Sequence, residues 1–199
     1  AARLTLSRRY PPSPTGPPST VHQTNLVGLT YWGFFHWWAL SPDQPWGIQA
    51  TEKLAAKYHA RGIVMHLGMD VSVGVGGMDS TGFPWSCPTV RNLNTVMAGT
   101  VPTTLAVEIE SEATNIVSYG FTLPNGDMLF ALWTDGVAVD DDPGVHTTLS
   151  FPSLSASQVV GLDVLHGFEQ ELITETENGN LVIRNLLVKD YPIILRVTG

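Results

Sequence analysis

Aromatic side chains are concentrated in residues 28–40, GLTYWGFFHWWAL, where six of thirteen residues are aromatic and none is Asp, Glu, Lys or Arg. An indole face can pack against the C–H face of a pyranose ring, so this composition is suited to binding sugars. Successive side chains of a strand point to opposite faces, however, so at most two or three of these rings could share one surface. A strand buried on both faces is the alternative interpretation. A membrane span is excluded, because it needs about twenty apolar residues.

Acidic residues form two further groups with possible chemistry. Glu108, Glu110 and Glu112 alternate, so they share one face of a strand, where a solvated surface that discourages edge pairing is a simpler interpretation than a catalytic cluster. Asp140–Gly144, DDDPG, could offer oxygen ligands to Ca²⁺ but lacks the spaced ligands and distal glutamate of an EF-hand loop. We therefore predict solvated acidic surfaces and assign neither catalytic nor metal-binding residues to them.

The composition is that of a packed globular protein, with 199 residues, 43% hydrophobic residues and 14% charged residues. The net charge is −8, and fourteen of the acids lie in residues 101–199, which argues against nucleic acid as a partner. Cys87 is the only cysteine, so no intramolecular disulfide can form. No cofactor is predicted, since the glycine-rich stretch 74–79, GVGGMD, does not lead into a helix that begins with GK[ST].

The elements that must position these groups fall into three parts. Residues 1–20 form a Pro-rich arm, because residues 11–18 hold five prolines. Residues 21–101 alternate strand and helix, the rhythm of a parallel α/β unit: the aromatic strand, a helix over 48–68, a short strand over 69–75 and a helix over 88–99. On the first helix, Glu52, Lys53 and Lys57 fall largely outside the apolar face, and Gly68 is placed to end it.

Residues 102–199 read as an antiparallel β-sandwich of about eight strands. The stretches PNGD at 124–127 and ENGN at 177–180 are typical of tight hairpin turns. The fold class is therefore α+β, with a short, partly barrel-like α/β segment before the sandwich. The predicted strands are 103–110, 116–123, 127–134, 147–151, 157–165, 168–176, 180–188 and 191–197.

This order of elements resembles the C-terminal end of retaining glycoside hydrolases that consist of a (β/α)8 barrel with a trailing β-sandwich. The resemblance covers about residues 28–199 and rests on four short motifs in a shared order. They are QA.Y..R, matched with looser spacing by Gln49, Ala50, Tyr58 and Arg61; RNL...AG, matched by Arg91, Asn92, Leu93, Ala98 and Gly99; G...ALW, matched from Gly126 to Trp133; and D.P, matched by Asp190 and Pro192.

The chain departs from that family where catalysis occurs. The family's mechanism needs two carboxylates about 5–5.5 Å apart. The resemblance implies that residues 28–40 stand where the nucleophilic glutamate of barrel strand seven is expected, and they contain no carboxylate; Phe34 or His36 stands near that place. The resemblance also implies that the acid/base glutamate would stand on barrel strand four. That strand would lie upstream of the aromatic run and is absent from this sequence. A whole barrel takes about 250 residues, so we expect the rest of a barrel, or another polypeptide chain, to be a partner.

The resemblance also implies where sugar contacts would lie, because barrel enzymes form their sites in the loops that follow the strands. In this sequence those loops are roughly residues 36–47 and 76–86. The residues nominated as sugar contacts are Trp37, Trp38, Trp46, Asp79 and Trp85.

Three functions stay open at this point. The first is a non-catalytic C-terminal portion of a glycoside hydrolase, with a structural or carbohydrate-contacting role. The second is a glycosidase whose catalytic carboxylates come from another chain. The third is a stand-alone β-sandwich module that binds carbohydrate.

Overall fold

The computed structural model describes residues 51–71, 73–75 and 81–199. Two helices precede ten strands in this part of the chain. The helices are α1 (Glu52–Gly68) and α2 (Ser86–Val96). The strands are β1 (Val101–Thr103), β2 (Glu108–Ser111), β3 (Ile116–Thr122), β4 (Met128–Thr134), β5 (Val145–Phe151), β6 (Gln158–Asp163), β7 (Phe168–Glu171), β8 (Glu175–Glu177), β9 (Asn180–Val188) and β10 (Ile193–Thr198).

The strands form two antiparallel sheets, which confirms the predicted sandwich-like architecture. The larger sheet has the order β1-β3-β4-β10-β6-β7, and the smaller has the order β2-β5-β9-β8. Alternation on each strand lets one face of each sheet contribute to the core between them. The side chains of that core include Phe130, Leu132, Leu149, Phe151, Val159, Ile183 and Leu195.

The two helices cover the other face of the six-stranded sheet, so the described residues form three layers. On β4 the alternation is visible directly, since Leu129, Ala131 and Trp133 point to the helices while Phe130 and Leu132 point to the second sheet. The helices contribute the buried side chains Ala60, Ile63, Val64, Leu67, Val90, Leu93 and Met97 to this core.

Two of the eight predicted strands are each divided between the sheets. Within 103–110, β1 ends in the six-stranded sheet and β2 begins in the four-stranded one. Within 168–176, β7 and β8 are divided in the same way. A continuous strand cannot pair in two stacked sheets at once, so the chain must leave the extended ladder where it crosses between them.

Both predicted hairpin turns are present. Residues 177–180 connect β8 to β9 with positive φ at Asn178 (53°) and Gly179 (81°), as a type I′ turn requires. Residues 124–127 connect β3 to β4, with Leu123 N–H donating to the Asp127 carbonyl at 2.8 Å and φ of 92° at Gly126. These turns join strands that are neighbours in the same sheet, so local sequence was sufficient to locate them.

Both predicted helices are present in the described residues, and the first ends at Gly68 as predicted, although Gly68 also has a packing role that was not predicted. It is the last residue of α1, and the left-handed position lies two residues later, at Asp70 (φ 59°). A Cβ at position 68 would lie 2.1 Å from Cδ1 of Tyr119 on β3. Gly68 therefore permits close approach of the helix to the sheet.

The barrel-like segment is tested only in part, because one of its two predicted strands, the aromatic strand at 28–40, lies outside the described residues. The predicted strand over 69–75 is reduced to an isolated bridge at Val73 in the residues that the structure describes. Every strand pair in residues 51–71, 73–75 and 81–199 is antiparallel. A partial barrel and the three-part division of the chain thus stay predictions.

Candidate functional site

A network of charged side chains joins α1 to the loops at one end of the six-stranded sheet. Lys57 and Arg61 lie one helical turn apart and are 1% and 7% exposed. We name Lys57, Tyr58, Arg61 and Asp190 the helix-anchoring network. The expectation that Lys57 lies outside the buried face of the helix is wrong, because this helix is covered by a loop that supplies polar partners as well as by the sheet.

The Lys57–Asp190 ion pair is the centre of this network. Lys57 Nζ lies 2.7 Å from Asp190 Oδ1, and both side chains are almost fully buried. The same two groups bind both backbone polar groups of one residue, since Lys57 donates to the Val139 carbonyl and Asp190 Oδ2 accepts from the Val139 N–H at 2.8 Å. Buried charges persist only when they are paired and hydrogen-bonded, and this arrangement meets both conditions.

Arg61 extends the network by binding three backbone carbonyls. Its Nε donates to the Asp190 carbonyl at 2.7 Å, and its two terminal nitrogens donate to the carbonyls of Gly136 (2.6 Å) and Thr134 (3.2 Å). The planar guanidinium offers donors in a fixed fork, so it can tie together the ends of β4 and the segment before β10. The Tyr58 hydroxyl accepts from the Ala138 N–H at 3.0 Å.

The acidic loop after β4 is bound to α1 and β10. Asp140 accepts a hydrogen bond from Thr51, the N-cap residue of α1. Asp141 pairs with Lys53 at 3.0 Å, and this hydrogen bond and charge lower the pKa of the Asp141 carboxyl. Asp142 Oδ2 accepts from the Asp190 N–H at 2.9 Å. Although residues of this loop are solvent-exposed, its carboxylates bind the first turn of α1 and the backbone before β10. The N-terminus of a helix favours nearby negative charge, which suits Asp140 and Asp141.

Glu52 of α1 caps the start of α2. Its two carboxylate oxygens accept from the backbone N–H groups of Trp85 (2.6 Å) and Ser86 (2.8 Å). The first N–H groups of a helix have no partner within the helix, so this carboxylate satisfies donors that would otherwise be unpaired. At the side of α2 that faces the sheet, Asn92 donates to the Val164 carbonyl at 2.9 Å. Both helices are thus held by polar contacts as well as by apolar packing.

A cluster of rings lies beside the network, around His166. The centroids of Trp85 and His166 are 5.6 Å apart in an edge-to-face arrangement, and the Phe168 ring lies nearly parallel to His166 at 6.0 Å. Asp163 holds this turn together, since its Oδ1 accepts from the N–H groups of Leu165 and His166, both at 3.0 Å. The arrangement fixes the position of the Phe168 ring at the start of β7.

Tyr191 connects the ring cluster to the helix-anchoring network. Its hydroxyl donates to Asp163 Oδ2 at 2.9 Å, and Lys57 Nζ lies 5.4 Å from the centre of its ring. Burial, followed by the charge of Asp163, raises the pKa of the Tyr191 hydroxyl well above its ordinary value. The folded protein therefore keeps this hydroxyl protonated at a pH where an unfolded chain loses the proton.

Tyr191 is expected to make the protein less stable as the pH rises above about 10. Its folded pKa is raised, so its contribution is fully present below the unfolded pKa and is lost above it. The free energy of unfolding should fall by about 1.4 kcal/mol per pH unit in that range. Urea unfolding of the wild type and of Tyr191→Phe measures this, and the Phe variant should lack that part of the slope. Equal slopes for the two proteins would contradict the assignment.

Of the residues nominated as sugar contacts, Trp37, Trp38, Trp46 and Asp79 lie outside the described residues. Trp85 is described and lies at the start of α2, half-buried between His166 and Lys53, whose Nζ is 5.3 Å from the indole centroid. Its role as a sugar contact stays a prediction. Burial of the Lys57 charge is not predicted by the sequence, in which the only signal for it is the spacing of four residues between Lys57 and Arg61.

Two arrangements, a metal-binding cluster of side chains and a membrane-spanning helix, are not found in the described residues. In residues 51–71, 73–75 and 81–199, no group of three or more His, Cys, Asp or Glu side chains is placed to hold a metal ion. Neither α1 nor α2 is long and apolar enough to cross a membrane. The buried charges instead bind one another and the backbone, which is an arrangement suited to holding elements together.

Comparisons with known proteins show a weak structural likeness. No family model matches the sequence, and no curated protein matches it. Among solved structures, the chain is similar to the catalytic domain of GH30 xylanase C from Talaromyces cellulolyticus, with 11% sequence identity and a TM-score of 0.46. The match covers 75% of this chain and 37% of that one. This chain thus corresponds to little more than a third of that domain, and the likeness assigns no activity.

Proposed function

We propose that this chain is the non-catalytic C-terminal portion of a glycoside hydrolase-type protein, in which the β-sandwich holds two terminal helices of a barrel in place. The observation that carries the proposal is the helix-anchoring network. Tyr58, Arg61 and Asp190 belong to two motifs that the sequence shares with those enzymes, and they meet in space although they are far apart in the chain.

The contacts on α2 support the same role. Asn92 belongs to the RNL...AG motif and donates to the carbonyl of Val164, which follows β6. Glu52 links the start of α2 to α1 through two backbone N–H groups. Each helix therefore has its own polar attachment.

The absence of a carboxylate in residues 28–40 supports a non-catalytic role. Two acids near the helices already bind other protein groups, since Glu52 caps α2 and Asp190 pairs with Lys57. A retaining glycosidase needs two free carboxyl groups that face one sugar. We expect the full chain alone to release no sugar from neutral polysaccharides or aryl glycosides. Hydrolysis only in the presence of a second polypeptide, detected by native mass spectrometry, would favour the glycosidase alternative.

Hydrogen exchange tests whether the sandwich holds the helices. We expect the amides of α1 to exchange only through global unfolding, with the same opening free energy as those of β4 and β10. Arg61→Met should lower the protection of α1, because three carbonyls, including the buried one of Asp190, lose their donor. Arg91→Met is the matched control, since this arginine is exposed on α2 and should leave α1 unchanged.

Two results would overturn the supporting role. One is exchange of the α1 amides in wild-type protein through a local opening far below the global free energy of unfolding. The other is an equal loss of α1 protection in Arg61→Met and Arg91→Met. Either result would mean that the buried contacts of Arg61 do not couple the helix to the sheet.

A further inference from the structure

A cleft opens between the two sheets at the edge farthest from β1. It has a volume of about 530 Å³ and lies between β7 of the larger sheet and β9 of the smaller one. Small-molecule sites in proteins have volumes of about 300–1,000 Å³, so this cleft is large enough for a ligand. It is separate from the helix-anchoring network, which lies on α1 and the loops that α1 contacts.

The register of β7 places an aromatic ring and an amide on the wall of the cleft. Phe168 pairs with Asp163 and Gln170 pairs with Gly161, so Phe168 and Gln170 share the face that points to the second sheet. Phe168 is 69% exposed although it lies on this inward face. The smaller sheet does not cover this part of the larger one, so the ring remains accessible to a ligand.

A β-bulge forms the opposite wall. Leu149 of β5 pairs with Ile183 and Thr147 pairs with Leu186, so one residue of β5 stands opposite two of β9. Asn185, one of those two, has a φ of 55° and lines the cleft. Bulges bend a strand and redirect its side chains, and they are frequent beside functional sites.

The positively charged groups of the cleft are occupied by protein partners. Arg184 binds Glu175 at 3.0 Å and also binds Glu177, whose pKa it lowers through a hydrogen bond and its charge. Lys189 Nζ donates to the carbonyls of Asp142 (2.8 Å) and Pro143 (3.0 Å). A polyanion would have to compete for both cations, and the net charge of −8 would also repel it.

The groups that remain are neutral or accept hydrogen bonds. Gln170 and Asn185 line the cleft, and their side-chain amides make no hydrogen bond to another of the described residues. A ligand that matches these groups and the Phe168 ring has many hydroxyls, no negative charge and an apolar face. A pyranose ring has all three properties, since its C–H face can pack on an aromatic ring while its hydroxyls bind amides.

We propose that this cleft binds a neutral oligosaccharide chain, with a sugar ring packed on Phe168 and its hydroxyls bound by Gln170 and Asn185. The site is independent of the supporting role of the sandwich, and Phe168, Gln170 and Asn185 are not among the residues nominated as sugar contacts from the sequence. A protein partner fits less well, because among the described residues only Phe168, Ile173 and Leu187 provide exposed large apolar side chains there, a small area for a stable interface.

Affinity electrophoresis of the full chain tests this proposal. Native gels would contain arabinoxylan, mixed-linkage β-glucan or galactomannan as neutral probes, with polygalacturonate as the polyanionic probe. We expect at least one neutral polysaccharide to retard the wild type and polygalacturonate not to do so. Phe168→Ala should weaken retention about tenfold, which corresponds to about 1.4 kcal/mol. Gln170→Ala should weaken it less, since it removes one amide.

Val101→Ala is the matched control. Val101 is an apolar residue, 50% exposed, on the edge strand at the opposite side of the same sheet, and its removal should not change retention. Unfolding temperatures of all variants should equal that of the wild type, because the replaced side chains are exposed. Three results would overturn the proposal: no retardation by any neutral probe, equal retention of Phe168→Ala and wild type, or stronger retention by polygalacturonate. None of them bears on the hydrogen-exchange test of the supporting role.

Discussion

Lys57→Met is expected to lower the free energy of unfolding by about 3–5 kcal/mol, the usual cost of removing one member of a buried ion pair. The variant would leave the Asp190 carboxylate 5% exposed with its charge uncompensated and the Val139 carbonyl without its donor. Urea unfolding followed by tryptophan fluorescence gives the change in the midpoint. Far-ultraviolet circular dichroism on the same samples shows whether α1 remains helical.

Lys53→Met is the control for the loss of a lysine from α1. Lys53 also pairs with an aspartate, but the Asp141 side chain is 93% exposed, and an exposed ion pair contributes little to stability. Adding Asp190→Asn to Lys57→Met should recover part of the lost stability, because it removes the unpaired charge and retains an acceptor for the Val139 N–H. Equal, small effects of the two lysine variants would show that the Lys57–Asp190 pair does not hold α1 to the sheet.

Gly68→Ala is expected to destabilise the protein by about 1–3 kcal/mol, although alanine favours helix formation over glycine. The added Cβ would lie 2.1 Å from Tyr119 Cδ1. The Tyr119 ring cannot withdraw easily, since it stacks on Trp133 at 5.7 Å and Trp133 is 2% exposed. The helix or the ring must therefore shift, and the measurement is again the urea midpoint at constant slope.

A second substitution reverses the sign of this effect. In a Tyr119→Ala background the obstacle is gone, so Gly68→Ala should stabilise the helix by a few tenths of a kcal/mol up to about 1 kcal/mol. Gly161→Ala is the control for a glycine at ordinary distance, since a Cβ there would meet Leu172 at 3.4 Å. Destabilisation by Gly68→Ala that persists without the Tyr119 ring would mean that close helix–sheet approach is not the reason for the glycine.

The sequence by itself determined the features that depend on neighbours in the chain. The turn at 177–180 follows from Asn178 and Gly179, which tolerate positive φ. The periodic pattern located both helices, and alternation located most strands of the sandwich. These are local properties of the backbone and of side-chain spacing, so they can be inferred without the fold.

Other features depended on which distant residues meet. Whether 103–110 and 168–176 are one strand or two depends on which sheet each half joins, and that is set by partners elsewhere in the chain. Helical spacing identified the apolar face of α1 but did not predict that the loop after β4 covers Lys57. Glycine at position 68 predicted the end of the helix, while only the Tyr119 ring explains why no larger residue fits there.

The two candidate sites also differ in how much of each could be predicted from the sequence. Tyr58, Arg61 and Asp190 belong to the motifs that carry the resemblance. Their joint role follows only from the structure, in which Arg61 contacts Asp190, 129 positions away in the chain. The cleft beside Phe168 had no counterpart in the sequence, because it exists only where one sheet extends past the other. Side-chain spacing records the periodicity of a single element, whereas burial, ion pairing and cavities arise from the packing of several elements, and only the tertiary structure determines that packing.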